Sequence, residues 1–167
     1  LSSDDHGQCF DEAAVTLQAL GRINEACEPR RRDREFNLKQ EDWRNAARGT
    51  SLLSELRLIL GEVAGAVKAA EESVTYANCS GDERDTIILR RLDEEQMMNT
   101  RCAHAEALHQ GGLRANAETL FREAEKMQKN FEPDHPLLYA RSGFAYCDLL
   151  LAASERLGIM PEHRPVA

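Results

Sequence analysis

The 167 residues carry 21 Lys and Arg against 29 Asp and Glu, a formal net charge of −8, which disfavours the phosphate backbone of nucleic acid as a partner. Aromatic residues make up only 5% of a chain poor in proline and rich in Ala, Leu, Glu and Arg, so helices are expected, and no apolar run approaches the roughly 18 residues of a membrane span. The cysteines, Cys9, Cys27, Cys79, Cys102 and Cys147, are odd in number and far apart in sequence, which excludes a disulfide scaffold and reads as reduced thiols of a cytoplasmic protein.

A first helix is expected from about Gln8 to Leu20, capped by Ser2, Ser3 or Asp4, with Phe10, Ala14, Leu17 and Leu20 on one stripe and Gly21 at its end. A second begins near Ile23 or at Pro29, since proline fits the first turn of a helix and strains its interior. Its continuation to Gln40 is polar enough to lie outside. The run Arg30, Arg31, Arg32 and Arg34, interleaved with Glu28, Asp33 and Glu35, reads as a solvated face laced with ion pairs rather than as a nucleic-acid patch.

Asp42 caps a third helix with Trp43, Ala46, Ala47, Leu53, Leu56 and Leu60 at helical spacing, closed by Gly61. The fourth has the cleanest period, Val63, Ala66, Val67, Ala70, Val74 and Ala77 inward and Lys68, Glu71 and Glu72 outward, and stops at Ser80, Gly81 and Asp82. A long fifth helix is expected over Glu83 to Gln110, with Ile88, Leu92, Met98, Cys102, Ala105 and Leu108 inward and a kink or loop within Leu92 to Met98. Gly111 and Gly112 end it. The sixth, Ala115 to about Asn130, buries Ala117, Leu120, Phe121, Ala124 and Met127.

After Pro133 and Pro136 a seventh helix is expected over Leu137 to Ala153, capped by Asp134, in which only Arg141 and Asp148 are charged. A helix that apolar is buried on several sides or awaits a partner. Residues 1–157 are thus expected to form one helical-repeat domain, and 158–167, broken by Gly158, Pro161 and Pro165, an irregular tail. The open repeat at that end and the non-Met Leu1 suggest a piece of a longer protein, with self-association through open repeat ends as one outcome.

Leu20, Gly21 and Ala26 reappear 40 residues on as Leu60, Gly61 and Ala66, and Gly112 with Ala117 continue the series after 51 more. Ala117, Phe121 and Ala124, then Pro133 and Pro136, then Tyr139, Gly143 and Tyr146 follow the order of a tetratricopeptide repeat, A-x3-F, then P, then the next opening half. In that reading Phe121 plugs two helices that Ala117, Ala124 and Gly143 allow to approach, and both tyrosines lodge against the preceding pair. The fold expected is all-α, a right-handed solenoid of antiparallel helix pairs with about seven helices.

The phrases Trp43 to Ala47, Leu53 to Leu56, Leu60 to Val63, Ser80 to Asp82, Ala107 to Gln110 and Pro136 to Leu151 resemble the tetratricopeptide arrays of bacterial STAND-type signalling ATPases, over about Leu17 to Ala152. The resemblance implies a sensor or interaction module whose nucleotide chemistry sits elsewhere. It does not extend to arrays that clamp carboxylate-ended peptides, because Asp11 and Thr16 stand where their Lys and Asn are expected.

Repeat register places Arg48, Ser51, Glu55, Asn99, Glu106, Arg141 and Asp148 on the concave face, where a protein or peptide is expected to bind, with no cofactor, metal or catalytic residue. No Gly-rich phosphate loop or His-Glu-x-x-His metal motif is present. The most chemical group is Cys102, His104, Glu106 and His109. With Cys147 approaching, Cys102 and His109 would support the rival reading, a small thiol- or metal-dependent hydrolase, though core packing accounts for them more simply.

Overall fold

The computed structural model describes residues 3–80 and 87–156. Seven helices run through them: α1 (Ser3–Ala19), α2 (Ile23–Lys39), α3 (Trp43–Ile59), α4 (Val63–Cys79), α5 (Ile87–Gln110), α6 (Arg114–Phe131) and α7 (Ala140–Arg156). Each packs on its neighbours in sequence, giving an all-α array of adjacent antiparallel pairs. The odd helices α3, α5 and α7 also touch one another directly, so they form one layer. No helix among the described residues is long and apolar enough to cross a membrane.

Four connectors of one design set this arrangement. After α1, α2, α3 and α5 the chain turns through three residues, the middle one at positive φ: Gly21 (72°), Glu41 (56°), Gly61 (76°) and Gly112 (79°). In each, the amide after that residue donates to a carbonyl five residues back, Arg22 to Leu17, Asp42 to Asn37, Glu62 to Arg57 and Leu113 to Leu108, while the middle amide closes the shorter ring. This is the Schellman arrangement, which satisfies the last carbonyls of a helix and reverses the chain. Five residues beyond each positive-φ residue stands an alanine, Ala26, Ala46, Ala66 or Ala117, with no exposed surface. A methyl there lets the returning helix lie close to the one it has left.

The α3/α4 pair shows that close contact best. Ala66, Ala69, Ala70, Ser73 and Ala77 bury the small face of α4. The Ser54 hydroxyl donates to the Ala66 carbonyl at 2.8 Å and Arg57 Nη1 to the Gly65 carbonyl at 2.8 Å. Asp42 caps α3 as expected, accepting from the Asn45 amide at 3.1 Å. Trp43 meets Tyr76 across the pair, centroids 6.2 Å apart.

The largest apolar cluster lies between α5, α6 and α7, where Met98, Cys102, Ala105 and Leu108 enclose Ala117, Phe121, Ala124 and Leu149. Phe121 is fully buried there, as the repeat register requires. Gln128 adds a contact that periodicity did not offer: its Nε2 donates to Glu132 Oε2 at 3.1 Å and to the His135 carbonyl at 2.9 Å, fastening the α6–α7 connector.

Several expectations are corrected. α1 begins at Ser3, not Gln8, and Leu20 and Leu60 are exposed at the turns because they are the last residues before the chain reverses. α2 begins at Ile23 and carries Pro29 inside it, and its polar stripe faces inward: Arg30, Asp33 and Asn37 are buried. Arg30 pairs with Asp11 of α1, and Asn37 Nδ2 donates to Asp33 Oδ1 at 2.9 Å, so polar groups fill this layer by satisfying one another.

α5 continues without a break through 92–98 and, at about 1.5 Å per residue, is about 36 Å long. α7 begins at Ala140, so Asp134 is not its cap and Leu137 and Tyr139 are exposed ahead of it; only Tyr146 of the two tyrosines lodges against the preceding pair. Gly143 serves the lead-in to its own helix: a Cβ there would lie 2.5 Å from the Leu138 carbonyl oxygen. The expected caps at Ser2 and Asp82, the start of the fifth helix at 83–86, the side chain of Ile88 and the tail 158–167 lie outside the described residues.

Candidate functional site

A cleft of about 410 Å³ opens between the odd helices. α3 contributes Arg48, Ser51, Leu52 and Glu55, α5 contributes Asn99 and Glu106, and the start of α7 contributes Arg141, with Leu138 and Tyr139 at one end. Six of the seven residues placed on the concave face by register therefore line one groove. Asp148 does not; it lies beside His109, whose Nδ1 is 4.0 Å from its carboxylate.

Arg141 ties the groove together. Its guanidinium pairs with Glu55 of α3 and, at 3.0 Å, with Glu106 of α5, so one side chain links three helices. Burial pushes the Glu55 carboxyl above the ordinary range; Arg141 pulls it down and Glu106 pushes it up. Burial opposes the charge on Arg141, yet Glu55 and Glu106 together raise its pKa. The guanidinium still keeps 55% of its side chain exposed. It is held in place and reachable from solvent, a pairing suited to recognition.

At the other end of the layer, Arg48 Nη2 lies 3.7 Å from Asp11 of α1. It also lines a second, more polar cleft of about 460 Å³ with Asp33, Asn37, Asp42 and Asn45. Sequence reasoning missed this cleft because its walls come from the buried polar stripe of α2. Gly49 makes room for it: a Cβ there would fall 2.7 Å from Asp33 Oδ2. Burial pushes the Asp33 carboxyl up, against the pull of Arg30 and Asn37.

The Cys102, His109 and Cys147 group is divided by burial. Cys102 is buried in the apolar cluster, and burial pushes its thiol up to about 11, with a Ser142 contact opposing. A thiol held protonated at neutral pH is a poor nucleophile. Burial also pushes the His104 imidazole down. Cys147 is exposed. Among the described residues no group of three or more His, Cys, Asp or Glu side chains is arranged to hold a metal ion.

The arginine run is divided rather than displayed. Arg30 is 2% exposed and paired with Asp11, Arg31 and Arg32 pair with Glu28, and Arg34 Nη1 reaches Glu72 of α4 at 3.1 Å.

No family model, curated protein or solved structure matches the chain. Internal repetition and the groove therefore carry the functional reading.

Proposed function

We propose that the chain is a tetratricopeptide-like interaction module whose groove between α3, α5 and α7 binds a protein or peptide segment. The observation that supports this most is Arg141, fixed between Glu55 and Glu106 with over half its side chain in solvent, at the centre of an open cleft. Glu55, Glu95 and Glu106 outnumber Arg48 and Arg141 along the walls, so a segment carrying Lys or Arg is favoured, and Tyr139 and Leu52 offer apolar surface beside them. Such a module acts without chemistry of its own, in the cytoplasm, as the sensing arm of a larger bacterial signalling protein of the STAND ATPase kind; this setting rests on the sequence resemblance. The alternative, a small thiol- or metal-dependent hydrolase on Cys102, His109 and Cys147, is the weaker reading: Cys102 lines the groove, but burial pushes its thiol up to about 11.

The test is selection from a random peptide library on residues 1–167, followed by calorimetry with an enriched peptide. Asn99 is exposed on the groove wall, so Asn99→Trp should fill the groove without disturbing the core. Affinity should fall by roughly tenfold or more with the melting temperature unchanged. Enriched peptides that bind Asn99→Trp as tightly as the parent would place recognition elsewhere.

A further inference from the structure

The odd helices α3, α5 and α7 pack directly, but among the described residues α1 does not close on α3 in that way. The polar cleft of about 460 Å³ occupies the space between them. Its floor is the stripe Asp33, Phe36, Asn37 and Gln40 of α2, and it stays open because each flanking helix turns a glycine to it, Gly7 and Gly49.

The acceptors of this cleft outnumber its donors. Arg30 and Arg48 both pair with Asp11, so among the described residues Asp33 and Asp42 are left without an ion pair. Asp33 and Asn37 are each 7% exposed. Asn37 Nδ2 donates to Asp33 Oδ1 at 2.9 Å, and no described donor reaches Asp33 Oδ2 or Asn37 Oδ1. Neither atom is sealed from solvent, so two acceptors on side chains more than nine-tenths buried open on the cleft. A buried acceptor left without a donor is costly, which favours a ligand that donates. The acids do not converge on a point, since no three of them among the described residues are arranged to hold a metal ion. A guanidinium matches the arrangement: its charge is spread over five N–H donors in a planar fork, it has no acceptor, and its face stacks on an aromatic ring.

We infer that the cleft between α1 and α3 binds a guanidinium group, with Asp33 and Asn37 as acceptors, Asp42 as the second carboxylate and Phe36 as the wall it lies against. Residues 1–6 hold Asp4 and Asp5 but no Lys or Arg, so that end of α1 supplies no such group itself. The inference stands on the gap between α1 and α3 and does not depend on the groove.

The probe is butylguanidine, titrated into the isotope-labelled 1–167 chain and followed by NMR. The amide signals of Asp33, Asn37 and Asn45 should shift. Butylurea, of the same shape without the charge, should leave them in place, and butylamine, a point charge without the fork, should bind more weakly. Asp33→Asn keeps the shape and can still accept from Asn37, and should weaken butylguanidine by roughly tenfold or more. Asn45→Arg, at an exposed position on the wall, should supply the group from the chain itself and abolish binding. Asn99→Trp in the groove should leave the affinity unchanged. A blocked arginine that binds at least as tightly as butylguanidine assigns the group to a polypeptide; weaker binding assigns it to a free small molecule. Absence of any shift in the parent chain overturns the inference, as it would if another part of the chain filled the cleft. So does equal binding of butylurea or butylamine, or binding that survives both Asp33→Asn and Asn45→Arg.

Discussion

The rings of Phe121 on α6 and Tyr146 on α7 stack with centroids 5.0 Å apart and planes inclined by 17°. Phe121 is fully buried in the apolar cluster that α5, α6 and α7 share, so the ring lies where three helices meet. Phe121→Ala should destabilise the chain by about 3 to 5 kcal/mol, the range for an aromatic ring removed from a packed core. Chemical denaturation measures it; a midpoint unchanged by the substitution would remove Phe121 from the centre of the packing.

Glu41 occupies the turn position that Gly21, Gly61 and Gly112 hold elsewhere, at a φ of 56° that costs a side-chain-bearing residue about 1 kcal/mol. Glu41→Gly should therefore stabilise the chain by up to about 1 kcal/mol. Gly61→Ala should cost about as much, although a Cβ at 61 meets nothing within 4 Å, because the penalty is purely conformational. Thermal melts of the two variants should move in opposite directions. Melts that move together would break the equivalence of the turns.

Arg141→Ala should act through pH. Removing the guanidinium leaves Glu55 facing Glu106 and takes away the charge that draws the Glu55 carboxyl down, so its folded pKa, already raised by burial, rises further. A raised folded pKa gives stability that is present below the ordinary carboxylate range and is lost as pH climbs through the folded value. The variant should thus lose about 1 kcal/mol against the parent at pH 8, discounted for the exposure of Arg141, and less at pH 5. Paired denaturation curves at both pH values check the sign. A larger deficit at pH 5 would contradict it.

Alkylation should divide the thiols in two groups. Cys9, Cys79 and Cys147 are exposed, whereas Cys27 and Cys102 are buried with thiols pushed up, Cys102 to about 11. Iodoacetamide at neutral pH should modify the first three in the native chain and the other two only on unfolding. A Cys102 that reacts first would reopen the thiol-hydrolase reading.

Gly49→Ala should be costly for a reason no helix propensity supplies. Alanine is the better helix former, yet its methyl would sit 2.7 Å from Asp33 Oδ2, and Asp33 is held by Asn37. A net loss of about 2 kcal/mol is expected. Urea denaturation would expose the opposite result, a gain, if Asp33 simply swings away.

Much of this fold was readable in the sequence where one residue type does one job. Gly21, Gly61 and Gly112 marked their turns because only glycine adopts positive φ without penalty, and the Ala and Phe spacing of α6 matched its buried stripe. The turn at Glu41 was not announced by a glycine. α2 was misjudged because Arg30, Asp33 and Asn37 look like solvent residues until Asp11 and their mutual contacts are brought in from the fold. Six groove residues came from register alone, but Leu138 and Tyr139 were expected inside the seventh helix, with Tyr139 packed on the preceding pair, whereas they precede α7 and line the end of the groove.

The starts of α2, α3 and α4 recur every 20 residues, at Ile23, Trp43 and Val63, each behind the same turn. A gene segment encoding 40 such residues, cut or copied between Gly21 and Gly61, would rejoin turn to turn and preserve the polarity of every helix. The number of pairs in such an array is therefore free to change by whole units, whereas the 51 residues from Gly61 to Gly112 depart from that unit and the 24 residues of α5 carry part of the difference.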